Sequence, residues 1–322
     1  MMQNNSGNHN QNFNATVVSL FAGCGGLDLG FKGDFSFLGK DYPKTGFEII
    51  WANEINSAAR KTYRKNISED IIEGDINECI NRLPSSADVV IGGFPCQDIS
   101  INGKMKGIEG NRSCLYLAIV ETVKRLKPKA FVAENVGSLF MSTHKKSLET
   151  ILKDFASLGY KINCSLYNTA DYGVPQTRER IFIVGTRPDV PSFTPPEKNI
   201  DAHITAKTAI GDLEALPEDK TFSHIWSKAK VSGEQGNRKM VAERPGYTIR
   251  SECHGNIQFH YSLPRRISMR EAARFQSFPD NFIFECGLRE TERQIGNAVP
   301  PVMAWHIAEA LKKSIANGQE RI

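Results

Sequence analysis

The sequence has few cysteines, and their spacing matches neither a disulfide framework nor a structural metal site. It contains seven cysteines in 322 residues, an odd number, and no C-x-x-C pair. Cys253 and His254 are adjacent but lack a second ligand pair at the spacing that zinc sites use. We therefore expect free thiols in a reducing cytoplasm and no metal centre.

Long apolar runs and a strong charge of one sign are also absent. No run of about eighteen apolar residues is present, so the sequence predicts no membrane span. Residues 1–15 are rich in asparagine and lack the apolar centre of a signal peptide, which predicts a disordered tail and no export. The formal net charge of +4 is compatible with a polyanionic partner but does not identify one.

The first 186 residues alternate between short apolar runs and helical patterns. With 40% hydrophobic and 24% charged residues, the chain has enough apolar material for a packed core. Continuous apolar strands separated by helices indicate a largely parallel or mixed sheet that is covered on both faces. The sequence therefore predicts a doubly wound α/β domain of Rossmann-like type. Its strands are predicted at residues 16–21, 47–51, 88–91, 130–133 and 180–184.

The pattern changes after residue 186, where four prolines follow within ten residues. Residues 228–270 carry nine Lys or Arg against three Glu, interleaved with small polar residues, which indicates a loop-rich region with a basic side. An apolar face starting at Pro300 and Pro301 predicts a last helix that returns to the large domain and ends at Gly318. The predicted division is a large domain of 16–186 plus 293–322 and a small domain of 187–292.

A glycine-rich turn follows the first strand, at residues 21–26 (FAGCGG). Such a turn lets the backbone approach a ligand at the edge of the sheet. The G-x-G-x-x-G pattern of dinucleotide sites is incomplete, because Asp28 stands at the sixth position counted from Gly23 as the first. A nicotinamide dehydrogenase is therefore disfavoured. Glu54 and Asp75 follow the next strands, where they could bind ribose hydroxyls and an adenine amino group. The glycine turn and the two acids together favour a site for an adenosine-containing cofactor. The alternative interpretation is a plain tight turn with two solvated acids.

Cys96 differs from the other six cysteines by its position. It follows the strand at 88–91 in the segment GGFPCQ, so it faces the same edge of the sheet as the glycine turn. Cysteines in such proteins are mostly inert core residues, which is our interpretation of the other six. The position of Cys96 beside a ligand site indicates a reactive thiol.

Three charged residues are predicted to lie near Cys96. Glu134 ends the strand at 130–133, where partial desolvation would raise the pKa of its carboxyl and suit it to proton donation. Arg178 and Arg180 enter the strand at 180–184 and could donate to a carbonyl or a phosphate. The alternatives are a loop-facing acid and an ordinary surface ion pair.

Taken together, these blocks resemble the bacterial DNA cytosine-5 methyltransferase family, of the restriction-modification type. The resemblance covers about residues 16 to 312, and the order of the blocks is far more specific than any one of them. One departure is Phe94, where many members have proline, and residues 32–46 form an extra loop. The matching blocks are residues 21–26, 53–54, 74–76, 93–97, 134–136, 176–180, 270–279 and 294–300.

The resemblance implies a class I methyltransferase that uses S-adenosylmethionine to methylate carbon-5 of cytosine in double-stranded DNA. It implies that Cys96 is the nucleophile and that Glu134 and Arg180 bind the target base. Arg178 then has a mainly structural role. Residues 187–292 correspond to the variable target-recognition domain. The cofactor contacts that it implies are Phe21, Gly23, Gly25, Gly26, Glu54, Asp75, Ile76, Leu115, Asn297 and Ala298.

The chemistry requires the target base to leave the stacked duplex, because both ring faces are covered there. The segment after Cys96 is rich in glycine and lysine and predicts a loop that closes on DNA, with Ser100 or Asn102 filling the emptied stack. Arg238, Lys239 and Arg250 are the candidate DNA contacts in the basic region. We expect a monomeric, nucleoid-associated cytoplasmic protein, with a cognate restriction endonuclease as a functional partner. A transfer RNA substrate and a non-catalytic DNA-binding relative are the alternatives.

Overall fold

The computed structural model describes residues 13–94, 115–198, 202–228, 238–251 and 258–319. The strands in these residues are β1 (Ala15–Leu20), β2 (Phe35–Phe37), β3 (Lys40–Tyr42), β4 (Phe47–Glu54), β5 (Ile72–Glu73), β6 (Val89–Gly93), β7 (Ala130–Val136), β8 (Lys161–Asn168) and β9 (Glu179–Thr186). The helices are α1 (Gly26–Lys32), α2 (Ser57–Asn66), α3 (Ile76–Cys79), α4 (Tyr116–Leu126), α5 (Lys145–Ser157), α6 (Ala206–Ile210), α7 (Met269–Phe275), α8 (Leu288–Asn297) and α9 (Pro301–Gln319).

Seven strands form one mixed sheet in the order β5-β4-β1-β6-β7-β9-β8. The first five are parallel, whereas β9 runs antiparallel to both of its neighbours. The doubly wound α/β prediction is confirmed. The apolar strand at 180–184 is β9, however, and it breaks the parallel pattern. A parallel crossover from β8 would need a dozen or more residues, usually with a helix, but the connection here is residues 169–178, which contain only a short 3₁₀ turn at Thr169–Tyr172.

The central strands are apolar on both sides because each side packs against helices. Along β1, Val17 belongs to the core that α1 and α9 cover, and Val18 to the core on the opposite face with α4 and α5. Successive side chains of a strand point to opposite faces, so both must be apolar when both faces are covered. The two cores hold the strand ends in a fixed position at one edge of the sheet.

The extra segment at 32–46 is a β-hairpin and not a plain loop. Its strands β2 and β3 pair antiparallel, and Phe35 stacks on Tyr42 with the ring centroids 4.9 Å apart. The indole Nε1 of Trp305 in α9 donates to the Pro43 carbonyl at 2.9 Å. The hairpin therefore attaches to the last helix and extends the core beside α1.

The last helix returns to the large domain as predicted and packs along α1. It continues past Gly318, so the predicted end at that glycine is wrong. The contact with α1 is close at Gly30, where an added Cβ would collide with the Ala304 side chain and lie 2.5 Å from the Pro301 carbonyl oxygen. A glycine inside a helix is retained here because the two helix backbones leave no room for a side chain.

We expect Gly30→Ala to destabilise the protein by about 1–3 kcal/mol, because overpacking outweighs the gain in helix propensity. Urea denaturation followed by circular dichroism measures the change. Gly287→Ser is the control, because an added Cβ at Gly287 meets no atom within 4 Å in the described part of the chain. A Gly30→Ala protein as stable as the wild type would show that the helix pair adjusts freely.

The described residues between 187 and 268 contain one α-helix, α6, and several isolated β-bridges, in agreement with the predicted loop-rich region. Their buried apolar residues include Ile210, Ile249 and Ile267. These form one core with Phe275 of α7 and Tyr63 of α2. The division into 16–186 plus 293–322 and 187–292 stays a prediction. None of the helices in the described ranges has the length and apolar character needed to cross a membrane.

Candidate active site

A cavity of about 1090 Å³ opens at one edge of the sheet. The carboxyl ends of β1, β4, β6 and β7 meet there, and the antiparallel β9 begins there. This is where ligands bind in open α/β sheets. The lining residues among the predicted site residues are Phe21, Gly23, Gly26, Glu54, Leu115, Glu134, Arg180, Arg250, Asn297 and Ala298.

The glycine-rich turn forms one wall of the cavity. Gly23 and Gly25 have φ angles of 57° and 97°, in the left-handed region that favours glycine. Gly23 lines the cavity, whereas Gly25 faces away, where an added Cβ would lie 3.1 Å from the Tyr63 ring. Phe21 also has a positive φ, 56°, which is unusual for an aromatic residue and marks backbone strain at a ligand site.

Glu54, at the end of β4, fixes this turn by accepting hydrogen bonds from backbone amides. Its Oε2 accepts a hydrogen bond from the Gly23 amide at 2.9 Å, and its Oε1 accepts one from the Asn56 amide at 2.7 Å. Burial raises the pKa of the carboxyl, and the two amides and Arg60 oppose that shift. Each oxygen keeps a second lone pair, so the carboxylate can still accept from a ligand hydroxyl. Ile55 beside it is 63% exposed and lines the cavity.

Asp75 and Ile76 do not line the cavity in the described structure. Asp75 is the N-cap of α3, where its Oδ1 accepts from the Asn77 amide at 2.9 Å. Ile76 is buried in the core under the sheet. The positions follow β5 as expected from the strand-end argument, but their role as cofactor contacts stays a prediction.

Glu134 and Arg180 form a buried ion pair at the other end of the cavity. Arg180 Nε lies 2.9 Å from Glu134 Oε1, and the two side chains are 11% and 9% exposed. They meet because β7 and β9 are antiparallel, which places the end of one beside the start of the other. Burial raises the pKa of Glu134 even though both arginines oppose it, and burial lowers the pKa of Arg180.

Asn135 anchors the segment that leads to Cys96. Its side-chain Nδ2 donates to the Phe94 carbonyl at 3.0 Å, and the residue is 2% exposed. Gly93 faces the pair just described, since an added Cβ there would lie 2.9 Å from Glu134 Oε2. Cys96, Ser100 and Asn102 lie outside the described residues.

Arg178 is buried and serves as a connector between segments. Its guanidinium donates to the carbonyls of Ile249 and Gly296, both at 2.7 Å, and to that of Ala298 at 3.2 Å. Burial lowers its pKa well below the ordinary value, the charge of Arg180 adds to the shift, and the charge of Glu134 opposes it. These bonds join three segments of the chain, and the structural role of this residue stays a prediction.

We expect Arg178→Met to destabilise the protein by about 2 kcal/mol, because three buried carbonyls lose their donor while the cost of burying a charge is removed. The same change should weaken the contact between the segments of Ile249 and Gly296, so limited proteolysis should cleave faster near residues 249–251. Denaturant unfolding and cleavage rates measure both effects. Arg187→Met on the exposed surface is the control, and equal behaviour of the two variants would contradict the connector role.

The predicted DNA contacts lie at and outside the cavity. Arg250 lines it, together with Thr248 and Ser251. Arg238 is exposed, with its guanidinium carbon 5.7 Å from the Tyr247 ring centroid, and Lys239 is exposed beside a bridge to Phe259. These placements leave both side chains available to a phosphate.

Several lining residues were not found from the sequence. Most of them lie in no motif, because tertiary contacts alone bring them to the cavity. Asn135 and Gln294 lie within the blocks 134–136 and 294–300, but the sequence assigns them no role there. A usable signal existed for Ile55 and Asn135, which directly follow acids already predicted from strand ends. The residues missed are Ile55, Asn135, Ser138, Asn168, Thr248, Arg293 and Gln294.

A family model, described as C-5 cytosine-specific DNA methylase, matches residues 15–248 and 225–313. Similar proteins include the type II methyltransferase M.NgoFVII of Neisseria gonorrhoeae, 36% identical over 95% of this chain and 88% of its own length. Another is the type II methyltransferase M.BbvI of Brevibacillus brevis, 36% identical over 92% of this chain and 90% of its own length.

Solved structures share the fold. A candidate DNA modification methyltransferase encoded within an E. coli prophage superposes with a TM-score of 0.71 at 22% identity, covering 94% of this chain and 99% of that one. The S. pombe Dnmt2 methyltransferase gives a TM-score of 0.62 at 14% identity, covering 94% and 99%.

Proposed function

The chain belongs to the C-5 cytosine-specific DNA methylase family, and from this we propose that its cavity transfers a methyl group from S-adenosylmethionine to carbon-5 of an extruded cytosine. The chain is a DNA methyltransferase related to type II enzymes, the modification enzymes of restriction-modification systems. The proposed site rests mainly on one observation, the buried ion pair of Glu134 and Arg180. This pair lies beside Gly93, in the segment that leads to Cys96.

The residues at the glycine turn fit an adenosine cofactor with an amino-acid tail. The Cβ direction of Gly23 is open, with the nearest atom 4.0 Å away, so a ligand can approach the bare backbone. Glu54 offers a fixed carboxylate for ribose hydroxyls, and the exposed Ile55 and the half-buried Phe21 offer apolar surface for an aromatic base. When bound, S-adenosylmethionine supplies an electrophilic methyl group.

Cys96 makes carbon-5 reactive. That carbon is a poor nucleophile in aromatic cytosine, and addition of the Cys96 thiolate to carbon-6 breaks the aromaticity and moves electron density to carbon-5. After methylation, loss of the carbon-5 proton re-forms the ring double bond and expels the thiolate. Positive potential favours the thiolate form, and Arg180 supplies a positive charge at the cavity.

Glu134 and Arg180 stabilise the charge that builds up on the ring during addition. A carboxyl with a raised pKa can hydrogen-bond the ring nitrogen and the exocyclic amine and provide a proton there. Arg180 remains able to donate to the cytosine carbonyl oxygen while paired, because a guanidinium has five N–H donors. The pair thus recognises the edge of the base that pairs with guanine in DNA.

Residues 187–292 act as the target-recognition domain in this proposal, with the remainder as the catalytic domain. Arg238, Lys239 and Arg250 contact phosphates and base edges, and Ser100 or Asn102 fills the space of the extruded base. The protein acts as a cytoplasmic, nucleoid-associated monomer, and a cognate endonuclease cleaves unmodified sites.

Expression in cells followed by bisulfite sequencing of plasmid DNA tests the proposal. We expect protected cytosines within one short recurring site. In vitro, tritium from the methyl group of S-adenosylmethionine should enter duplex DNA and not transfer RNA. Labelling of transfer RNA alone would support the alternative substrate, and labelling of neither would overturn the proposed function.

A further inference from the structure

An exposed segment continues outward from the mouth of the cavity after β7. Ser138 lines the cavity, and Phe140 and Met141, which follow it, are 44% and 58% exposed. Single exposed apolar side chains are common on protein surfaces, but two adjacent ones at the mouth of a site are informative. Lys145 and Lys146 are exposed further along the same segment. We call these four side chains, Phe140, Met141, Lys145 and Lys146, the rim patch.

The backbone that carries the two apolar side chains of the rim patch is anchored to the protein. Leu139, which stands before them, is fully buried in the core that α4 and α5 cover. Gly137 packs on β9, where an added Cβ would lie 2.7 Å from the Glu179 Cβ. The segment forms two consecutive 3₁₀ turns, Gly137–Phe140 and Ser142–His144. The apolar side chains therefore face solvent as part of a defined structure.

The charge of the rim patch is positive. Residues 137–148 contain His144, Lys145 and Lys146 and neither Asp nor Glu. Glu149 follows on α5, and its Oε1 lies 4.0 Å from Lys145 Nζ with both side chains mostly exposed. An exposed ion pair at this distance is weak and is easily exchanged for another anion. The segment thus presents apolar surface together with two exposed ammonium groups.

We propose that the rim patch binds the DNA duplex beside the extruded base, an inference that rests on the proposed function. A base can enter the cavity only if its duplex lies against the mouth. Met141 is three residues from Ser138, a span of at most about 11 Å, which is less than the width of the major groove, about 12 Å. A duplex at the mouth therefore reaches the rim patch. The two lysines contact phosphates, and the apolar pair packs against sugars and base edges in a groove.

A second copy of the chain fits the rim patch less well than DNA does. In a symmetric dimer the same surface of both chains meets itself, so Lys145 and Lys146 of the two chains would lie close together. Like charges opposed in an interface are unfavourable, whereas phosphates compensate them. DNA is also the substrate named in the description of the family to which the chain belongs.

The lysines are tested by the salt dependence of DNA binding. The probe is a fluorescent DNA duplex of mixed sequence, and its fluorescence anisotropy with the full chain gives the affinity at several salt concentrations. We expect Lys145→Gln/Lys146→Gln to weaken binding by about 5- to 50-fold at about 0.1 M salt and to lower the slope of log affinity against log salt by about 1–2, because up to two phosphate contacts are lost.

The matched control is Lys124→Gln/Lys127→Gln, which removes the same charge elsewhere. Both of these lysines are exposed at the end of α4, before β7 begins, so they lie away from the strand ends that form the cavity. The control should bind DNA within about twofold of the wild type, since surface charges remote from a site contribute little. Equal losses in the two double variants would show a general effect of net charge and overturn the inference.

The apolar pair is tested by Phe140→Ser/Met141→Ser. We expect about 5- to 20-fold weaker DNA binding with an unchanged salt slope, because apolar contacts release no counterions. Leu38→Ser is the control, since Leu38 is 39% exposed in the hairpin that leads into the start of β4, and it should bind DNA like the wild type. All four variants change exposed side chains, so their midpoints of thermal unfolding should match that of the wild type.

The outcomes separate this inference from the proposed function. Wild-type affinity and salt slope in both rim-patch variants would overturn the inference and leave the proposed function standing. Sedimentation equilibrium gives the oligomeric state without DNA. A wild-type dimer that Phe140→Ser/Met141→Ser dissociates, with DNA binding unchanged, would assign the rim patch to a second copy of the chain and overturn the inference too. A wild-type protein that binds no duplex would instead overturn the proposed DNA substrate.

Discussion

Replacing Cys96 by serine should lower methyl transfer to duplex DNA by at least about 10⁴-fold, the scale of loss when a covalent nucleophile is removed. A serine hydroxyl is a far weaker acid than a thiol, so almost none of it is ionised at neutral pH, and addition to carbon-6 becomes the limiting step. Incorporation of the labelled methyl group into an oligonucleotide measures the loss. Release of tritium from carbon-5 of a labelled substrate should fall in parallel, because both depend on the same addition.

Cys164→Ser is the control for this prediction. Cys164 lies on β8, is half-buried, and has a pKa that burial raises to about 11, so it is unsuited to nucleophilic attack. Its replacement should leave turnover within about twofold. Methyl transfer by Cys96→Ser at the wild-type rate, or tritium that never leaves carbon-5 in the wild type, would refute covalent catalysis by this thiol.

Cys24 is the described cysteine that lines the cavity, yet its surroundings make it inert. Burial raises the pKa of its thiol to about 12, and the carboxylates of Glu54 and Asp28 add to the shift. Its Sγ is also directed at the Gln294 carbonyl. A thiol that stays protonated serves as packing and as a weak donor, which leaves Cys96 as the nucleophile expected from its position after β6.

The strand-end argument predicts several residues that line the cavity because it depends on local order in the chain. Glu54, Glu134 and Arg180 each stand at the end or start of an apolar strand, and the sheet brings those ends together. The argument located Asp75 at a strand end too, but the side chain caps α3 and does not line the cavity. Position along a strand is thus predictable, whereas the direction of a side chain after a turn depends on local hydrogen bonds.

Elements at the edges of the fold were harder to predict. The edge strand β8 is half-exposed along most of its length and lacks a continuous apolar run, so it gave no signal. The sequence predicts a loop where the hairpin of β2 and β3 lies, because strands of three residues are too short for a recognisable pattern. The hairpin also depends on a contact with Trp305 near the other end of the chain. Contacts over such distances in sequence cannot be read from local composition.

Replacing Glu134 by glutamine should lower kcat by about 10²- to 10³-fold with a smaller effect on cofactor affinity. A fall in kcat of this size is expected when a preorganised group that stabilises charge developing in the transition state is removed. The wild-type carboxyl is buried and paired with Arg180, which fixes its orientation before the base arrives. Glutamine keeps the shape but cannot deliver a proton, and it leaves the Arg180 charge without its counterion. Single-turnover kinetics with saturating cofactor separate this loss from weaker binding.

The pH profile distinguishes proton donation from a purely electrostatic role. Because burial raises the pKa of Glu134, the folded protein holds this proton to a higher pH than an ordinary carboxyl would, and donation fails as pH rises through that pKa. The wild type should therefore lose activity on the alkaline side, and Glu134→Gln should lack that decline. Glu149→Gln, which breaks the exposed pair with Lys145, is the matched control and should keep the wild-type profile. An alkaline decline that persists in Glu134→Gln would assign the proton to another group.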